Sequence, residues 1–190
     1  MSKLRVAVLA SGSGTLFQSL ADHAGELEIE IVGLITDGEV PAVARAHAMG
    51  IPVMVVPMLA DRVKWDQELA TELSKLKPAV IVSAGFMRIL GPIVLRFYQG
   101  RIINTHPAML PNFPGAHAVR DALAAKVSST GATVHFVDSG MDTGEIIAQA
   151  PVNVEPDDTE ELLHERIKQV ERTLLVQVVR DIVSGKVVLK

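Results

Sequence analysis

Short runs rich in Val and Ile that are apolar on successive residues, instead of on alternate ones, recur along this chain between longer amphipathic stretches. A strand that is apolar on both faces must be covered on both, which is the condition of a parallel sheet with helices on either side. The strand candidates are Leu4–Leu9, Ile29–Ile35, Val53–Val56, Ala79–Ser83, Arg101–Asn104 and Thr133–Phe136. The helix candidates are Leu16–His23, Val40–Met49, Asp61–Leu76, Pro92–Tyr98, Ala118–Ala125 and Thr159–Val183. The expected fold is α/β: an open, doubly wound, mostly parallel sheet with helices on both faces, Rossmann-like in plan. With 190 residues, 48% of them hydrophobic, and no internal repeat or linker, a single domain over residues 1–190 is expected.

Composition removes several classes of function. A net charge of -4 supplies no global field for nucleic acid, so none is expected as a partner. The absence of cysteine excludes disulfides, thiolate zinc sites and thiol nucleophiles. The apolar stretch Val6–Ala10 is too short to span a bilayer or to serve as a signal peptide. A cytoplasmic protein that does not associate with membranes is expected, either monomer or homodimer.

In an open α/β sheet, ligands bind beyond the carboxyl ends of the strands. The stretch "RIINTHPAMLPNFPGAHAV" places Asn104 and His106 there, two residues apart, ahead of a Pro/Gly-rich loop over 107–115. Alternation puts both side chains on one side of the backbone if strand geometry persists that far. An amide donor and an imidazole would then aim at one spot. Taken alone, Asn-x-His reads first as a turn-capping Asn and a loop histidine satisfied by the backbone.

The wider pattern is more specific. "NTHPAMLPNFPGAHA" resembles the signature of the folate-dependent formyltransferases, and "PNFPGAH" resembles the branch that acts on 5-phosphoribosylglycinamide. The resemblance continues through "VLASGSGT", "AGFMRIL", "GATVHFVDSGMDTGEII" and "RIKQVER", and so covers essentially the whole chain. It implies a purine-biosynthetic enzyme that carries a formyl group from 10-formyltetrahydrofolate to the substrate amine by direct attack, through a tetrahedral intermediate and without metal. Asn104 and His106 would hold the oxyanion, and Asp142 would pair with His106 and help relay the amine proton. His135, inside the strand of "GATVHFV", has a supporting place. By composition alone Asp142 is a turn residue and His135 a structural histidine.

The glycine-rich turn Gly12-Ser13-Gly14-Thr15 between the first strand and helix suits a phosphate, because free N–H groups and the helix dipole attract anions there. A dinucleotide site is the rival reading, with Asp37 as the ribose acid, but Phe17 stands where a small residue is needed for close helix packing. By resemblance, Gly14, Thr15 and Leu16, with Lys168 and Glu171 on the last helix, bind the ribonucleotide. Leu16 departs from the family's usual Asn, so only its backbone N–H remains for the phosphate. A bulky residue at Gly14 is expected to act chiefly by crowding that phosphate. The resemblance assigns the folate to Met87, Arg88, Ile89 and Leu90 and to the loop of Ser139, Gly140, Met141 and Thr143, with Arg88 facing its carboxylates and Arg62 a matched cation near the same cleft. A non-catalytic module that keeps the pockets without turnover is the alternative class.

Overall fold

The structure, a computed structural model, describes residues 2–190. Its strands are β1 (Leu4–Ala10), β2 (Ile29–Thr36), β3 (Val53–Val55), β4 (Val80–Ser83), β5 (Ile102–His106), β6 (Ser129–Phe136) and β7 (Ile146–Asn153). They form one seven-stranded sheet in the order β3-β2-β1-β4-β5-β6-β7. The pairs from β3 to β5 are parallel, and β6 is antiparallel to both its neighbours. The helices are α1 (Thr15–Asp22), α2 (Pro41–Ala48), α3 (Arg62–Leu76), α4 (Pro92–Tyr98), α5 (Ala118–Ala124) and α6 (Glu160–Val183). The α/β expectation holds.

The apolar runs are explained by two cores, one on each face. Val6, Val8 and Ala10 of β1 pack with Phe17 and Leu20 of α1 and Val176 and Val179 of α6. Ala7 and Leu9 turn the other way, to Trp65, Leu69 and Leu73 of α3 and Val94 of α4. Each fully buried side chain of this size contributes about 1.5–3 kcal/mol through removal from water. Phe17 is wholly buried at the base of α1, as the exclusion of a dinucleotide turn requires.

Helix starts follow local chemistry. Asp61 caps α3 by accepting from the N–H groups of Val63 and Lys64, both at 3.1 Å. Thr159 caps α6 at Leu162 N, and Glu160 and Glu161 sit favourably at the positive end of the helix dipole. Pro41 and Pro92 open α2 and α4, where the missing N–H costs nothing.

The sheet extends beyond the predicted strands. β5 continues through His106, β6 begins at Ser129, and β7 has no counterpart in the predicted set. β7 lies at an edge, half exposed, and contains Pro151; an edge strand tolerates the lost donor, and its sequence lacks the apolar density that marks the central strands. No helix of the described residues is long and apolar enough to cross a membrane.

Candidate active site

A cleft of about 590 Å³ opens beyond the carboxyl ends of β1, β4 and β5, with walls completed by the 107–115 and 138–142 segments and by α6. It sits where the order of the sheet reverses, between β1 and β4, the position at which doubly wound sheets leave a crevice.

Because β5 runs through His106, alternation holds across the whole Asn-Thr-His triplet. Asn104 and His106 face one side of the sheet, and Thr105 points to the other, toward Glu171 on α6. Antiparallel pairing sets His135 directly opposite Asn104, and the two side chains meet at 3.2 Å between Asn104 Nδ2 and His135 Nε2. Asp142 completes the group: its Oδ2 lies 3.4 Å from His106 Nδ1 and its Oδ1 lies 3.6 Å from His135 Nε2. The structure therefore brings Asn104, His106, His135 and Asp142 into one cluster.

Hydrogen bonding orients these groups. His106 Nε2 meets the Phe113 carbonyl at 2.8 Å, and since a carbonyl only accepts, that nitrogen carries a proton. Nδ1 then faces the Asp142 carboxylate. His135 Nδ1 likewise meets the Phe136 carbonyl at 2.8 Å. Its Nε2 accepts from Asn104 when unprotonated and donates toward Asp142 when protonated. The His135 imidazole holds the Asp142 carboxyl below the usual carboxylate range; burial opposes this, and the Gly115 amide at 2.7 Å and the neighbouring His106 reinforce it. The Pro/Gly-rich loop thus touches both partners, through Phe113 O on His106 and Gly115 N on Asp142.

On the other side of the cleft stand Gly14, Thr15 and Leu16, with Lys168 and Glu171 on α6. Gly14 adopts φ 72°, and a Cβ there would lie 2.7 Å from that of Ala42 on α2. The expectation that bulk at Gly14 acts chiefly on the ligand is therefore corrected: it would first collide with α2. Arg45 Nε, also from α2, donates to Ser13 O at 2.7 Å and fixes the turn. The Leu16 side chain is buried in the core, which leaves its backbone to line the cleft. Burial raises the Glu171 carboxyl from the ordinary 4.5 to about 7, against the Thr105 hydroxyl and the charges of Lys168 and Arg172.

Met87, Arg88, Ile89 and Leu90 form the third wall, with Gly140 and Met141 across from them. Ser139, Thr143 and Arg62 stand outside the cleft lining. Thr143 Oγ1 donates to Asp138 at 2.7 Å, and Gly140 N donates to the same carboxylate oxygen at 2.9 Å, so Asp138 braces this loop. Arg62 donates to the Ile89 carbonyl at 2.6 Å and lies over the Trp65 ring at 4.5 Å. Arg88 Nε is 2.6 Å from the buried Asp37 carboxylate. Asp37, the residue a dinucleotide site would use, is engaged within the protein. His164, one helical turn before Lys168, also lines the cleft. Burial, with Lys168 adding, holds its imidazole below the usual histidine range. Its i,i+4 spacing to Lys168 was the available sequence signal.

The formyl transferase family model matches residues 4–179. The chain belongs to the formyl transferase family. Phosphoribosylglycinamide formyltransferase of Mycobacterium tuberculosis is 51% identical over 179 residues, 92% of this chain and 83% of that protein. Among solved structures, glycinamide ribonucleotide transformylase 1 from Symbiobacterium toebii superposes with a TM-score of 0.95 at 34% identity, over 100% of this chain and 92% of that one. Its namesake from Geobacillus kaustophilus gives 0.90 at 41% identity, over 95% and 99%. The formyl transferase match thus spans every wall of the cleft, from the Gly14 turn to Glu171.

Proposed function

We propose that this formyl transferase carries the formyl group of 10-formyltetrahydrofolate to the amine of 5-phosphoribosylglycinamide, as a cytoplasmic enzyme of purine biosynthesis. The observation that carries the reading is the Asp142 carboxylate lying between His106 and His135 beside Asn104, at the meeting point of the cleft's walls.

The amine nitrogen attacks the formyl carbon, a C–N bond forms, and the carbonyl electrons move onto oxygen. One Asn104 amide hydrogen is engaged by His135. The other is free for that oxygen, and His106, whose Nδ1 lies 3.4 Å from Asp142 Oδ2, stands beside the developing charge as the second polar group. Such donors act because they are fixed before charge develops. Asp142, ionised because its carboxyl is held low, takes the amine proton through water and balances His106. Collapse breaks the bond between the formyl carbon and folate N10, and Asp142 returns the proton through water to N10, which leaves as tetrahydrofolate. Lys168 and the Gly14–Leu16 amides take the phosphate, and the Met87–Leu90 backbone faces the pterin.

Asp142→Asn tests this assignment. It keeps the shape of the side chain but removes the proton acceptor, so it should bind both substrates calorimetrically while kcat falls on the order of a hundredfold or more. Near wild-type turnover in the folded variant would contradict it.

A further inference from the structure

Asp66 is a buried carboxylate on α3, 1% exposed, that lines no part of the cleft and takes part in no step above. Its two oxygens accept from two backbone amides, Gly91 N at 2.9 Å and Ile93 N at 2.7 Å. Between them stands Pro92, which has no N–H to offer. Gly91, at the start of α4, has no side chain with which to cap the helix, and Asp66 supplies the cap from the neighbouring helix. The approach depends on glycine: a Cβ on Gly91 would lie 2.4 Å from the carboxyl group of Asp66.

One helical turn earlier on the same face of α3, Arg62 donates to the Ile89 carbonyl. Two side chains at i and i+4 therefore grip the peptide groups on either side of Leu90, whose residue lines the cleft and is 8% exposed. Ser11 accepts from Met87 N at 3.0 Å, and Asp37 holds Arg88 at 2.6 Å, but both act further along the wall. We infer that Asp66 is a positioning residue for the folate: through Gly91 and Ile93, with Arg62 on Ile89, α3 sets the backbone of residues 88–90 at the spacing the pterin reads. This rests on the proposed assignment of that wall to the folate. It also gives Arg62 a task beyond that of a cation near the cleft.

The test compares wild type with Asp66→Asn, which keeps one acceptor and turns an N–H against an N–H, and with Gly91→Ala, which breaks the same contact from the other side. In the full chain, each variant should raise the KM for 10-formyltetrahydrofolate on the order of tenfold, equivalent to about 1.4 kcal/mol, with the KM for the ribonucleotide within about twofold. A merely structural role would lower the melting temperature and the active fraction while leaving both KM values at wild-type levels, and that result in either folded variant overturns the inference. Equal rises in both constants overturn it as well. Should neither variant fold, hydrogen exchange on the wild type decides: Gly91 and Ile93 amides that exchange as fast as exposed loop amides contradict the clamp, and protection that deepens on adding a non-transferable folate analogue supports it. Wild-type protein that turns over neither substrate would instead refute the functional reading.

Discussion

Asn104 enters the cleft with one amide hydrogen engaged and one free, so truncating it removes an oxyanion donor without leaving a buried charge. Asn104→Ala should lower kcat on the order of 10²–10³-fold with small changes in either KM, the size of effect seen when a preorganised donor is lost; steady-state kinetics on both substrates checks it. Glu171 gives a pH prediction. Its folded value, about 7, lies above the ordinary 4.5, so its contribution to stability is fully present below pH 4.5 and is lost as the pH rises through about 7. At about 1.4 kcal/mol per unit, the shift from 4.5 to about 7 corresponds to roughly 3 kcal/mol as an upper bound. Glu171→Gln, which cannot ionise, should therefore melt higher than wild type at pH 8 and about equally at pH 4, while binding the ribonucleotide more weakly. Equal melting at pH 8 would contradict the buried charge. Among these residues, the common facing of Asn104 and His106 was legible from strand alternation, and their role only from the formyltransferase pattern around them. The nearness of Asp142 to them was not, because it arises from the return of the 138–142 loop across the sheet. Nor was Glu171's burial, because a charged residue on a polar helix reads as solvated until Thr105 is seen to face it.

The first turn separates two glycines that the sequence treats alike. Gly14 sits at φ 72° against Ala42, whereas a Cβ at Gly12 would meet nothing within 4 Å. Gly14→Ala should cost about 1–3 kcal/mol through backbone strain and separation of α1 from α2. Gly12→Ala should stay within about 0.5 kcal/mol of wild type. Denaturant unfolding of the pair measures the contrast, and equal losses would contradict the packing described. The helices were legible because their caps and prolines stand in the sequence: Asp61, Thr159, Pro41 and Pro92 each mark a boundary within a residue. β7 was not, since an edge strand paired on one side needs no continuous apolar run and Pro151 interrupts the signal. The antiparallel sense of β6 was hidden too, because direction is set by the connection and not by the composition of the strand.

Taken whole, the molecule places three groups of residues around one cleft by means of one topological feature, the reversal of strand order between β1 and β4. The first turn and α6 make one wall, the residues after β4 a second, and β5 with β6 and the Asp142 loop a third. This division matches two substrates meeting at a reacting centre. The overall α/β plan follows from the apolar runs. Which strand ends share a cleft follows only from the folded order. Direct transfer between the two bound substrates is tested by mixing the protein with 10-formyltetrahydrofolate, with and without 5-phosphoribosylglycinamide, and measuring released tetrahydrofolate together with formylated ribonucleotide. Both should appear in equal amounts and only when the ribonucleotide is present; tetrahydrofolate released without the amine, or no turnover at all, would contradict direct transfer.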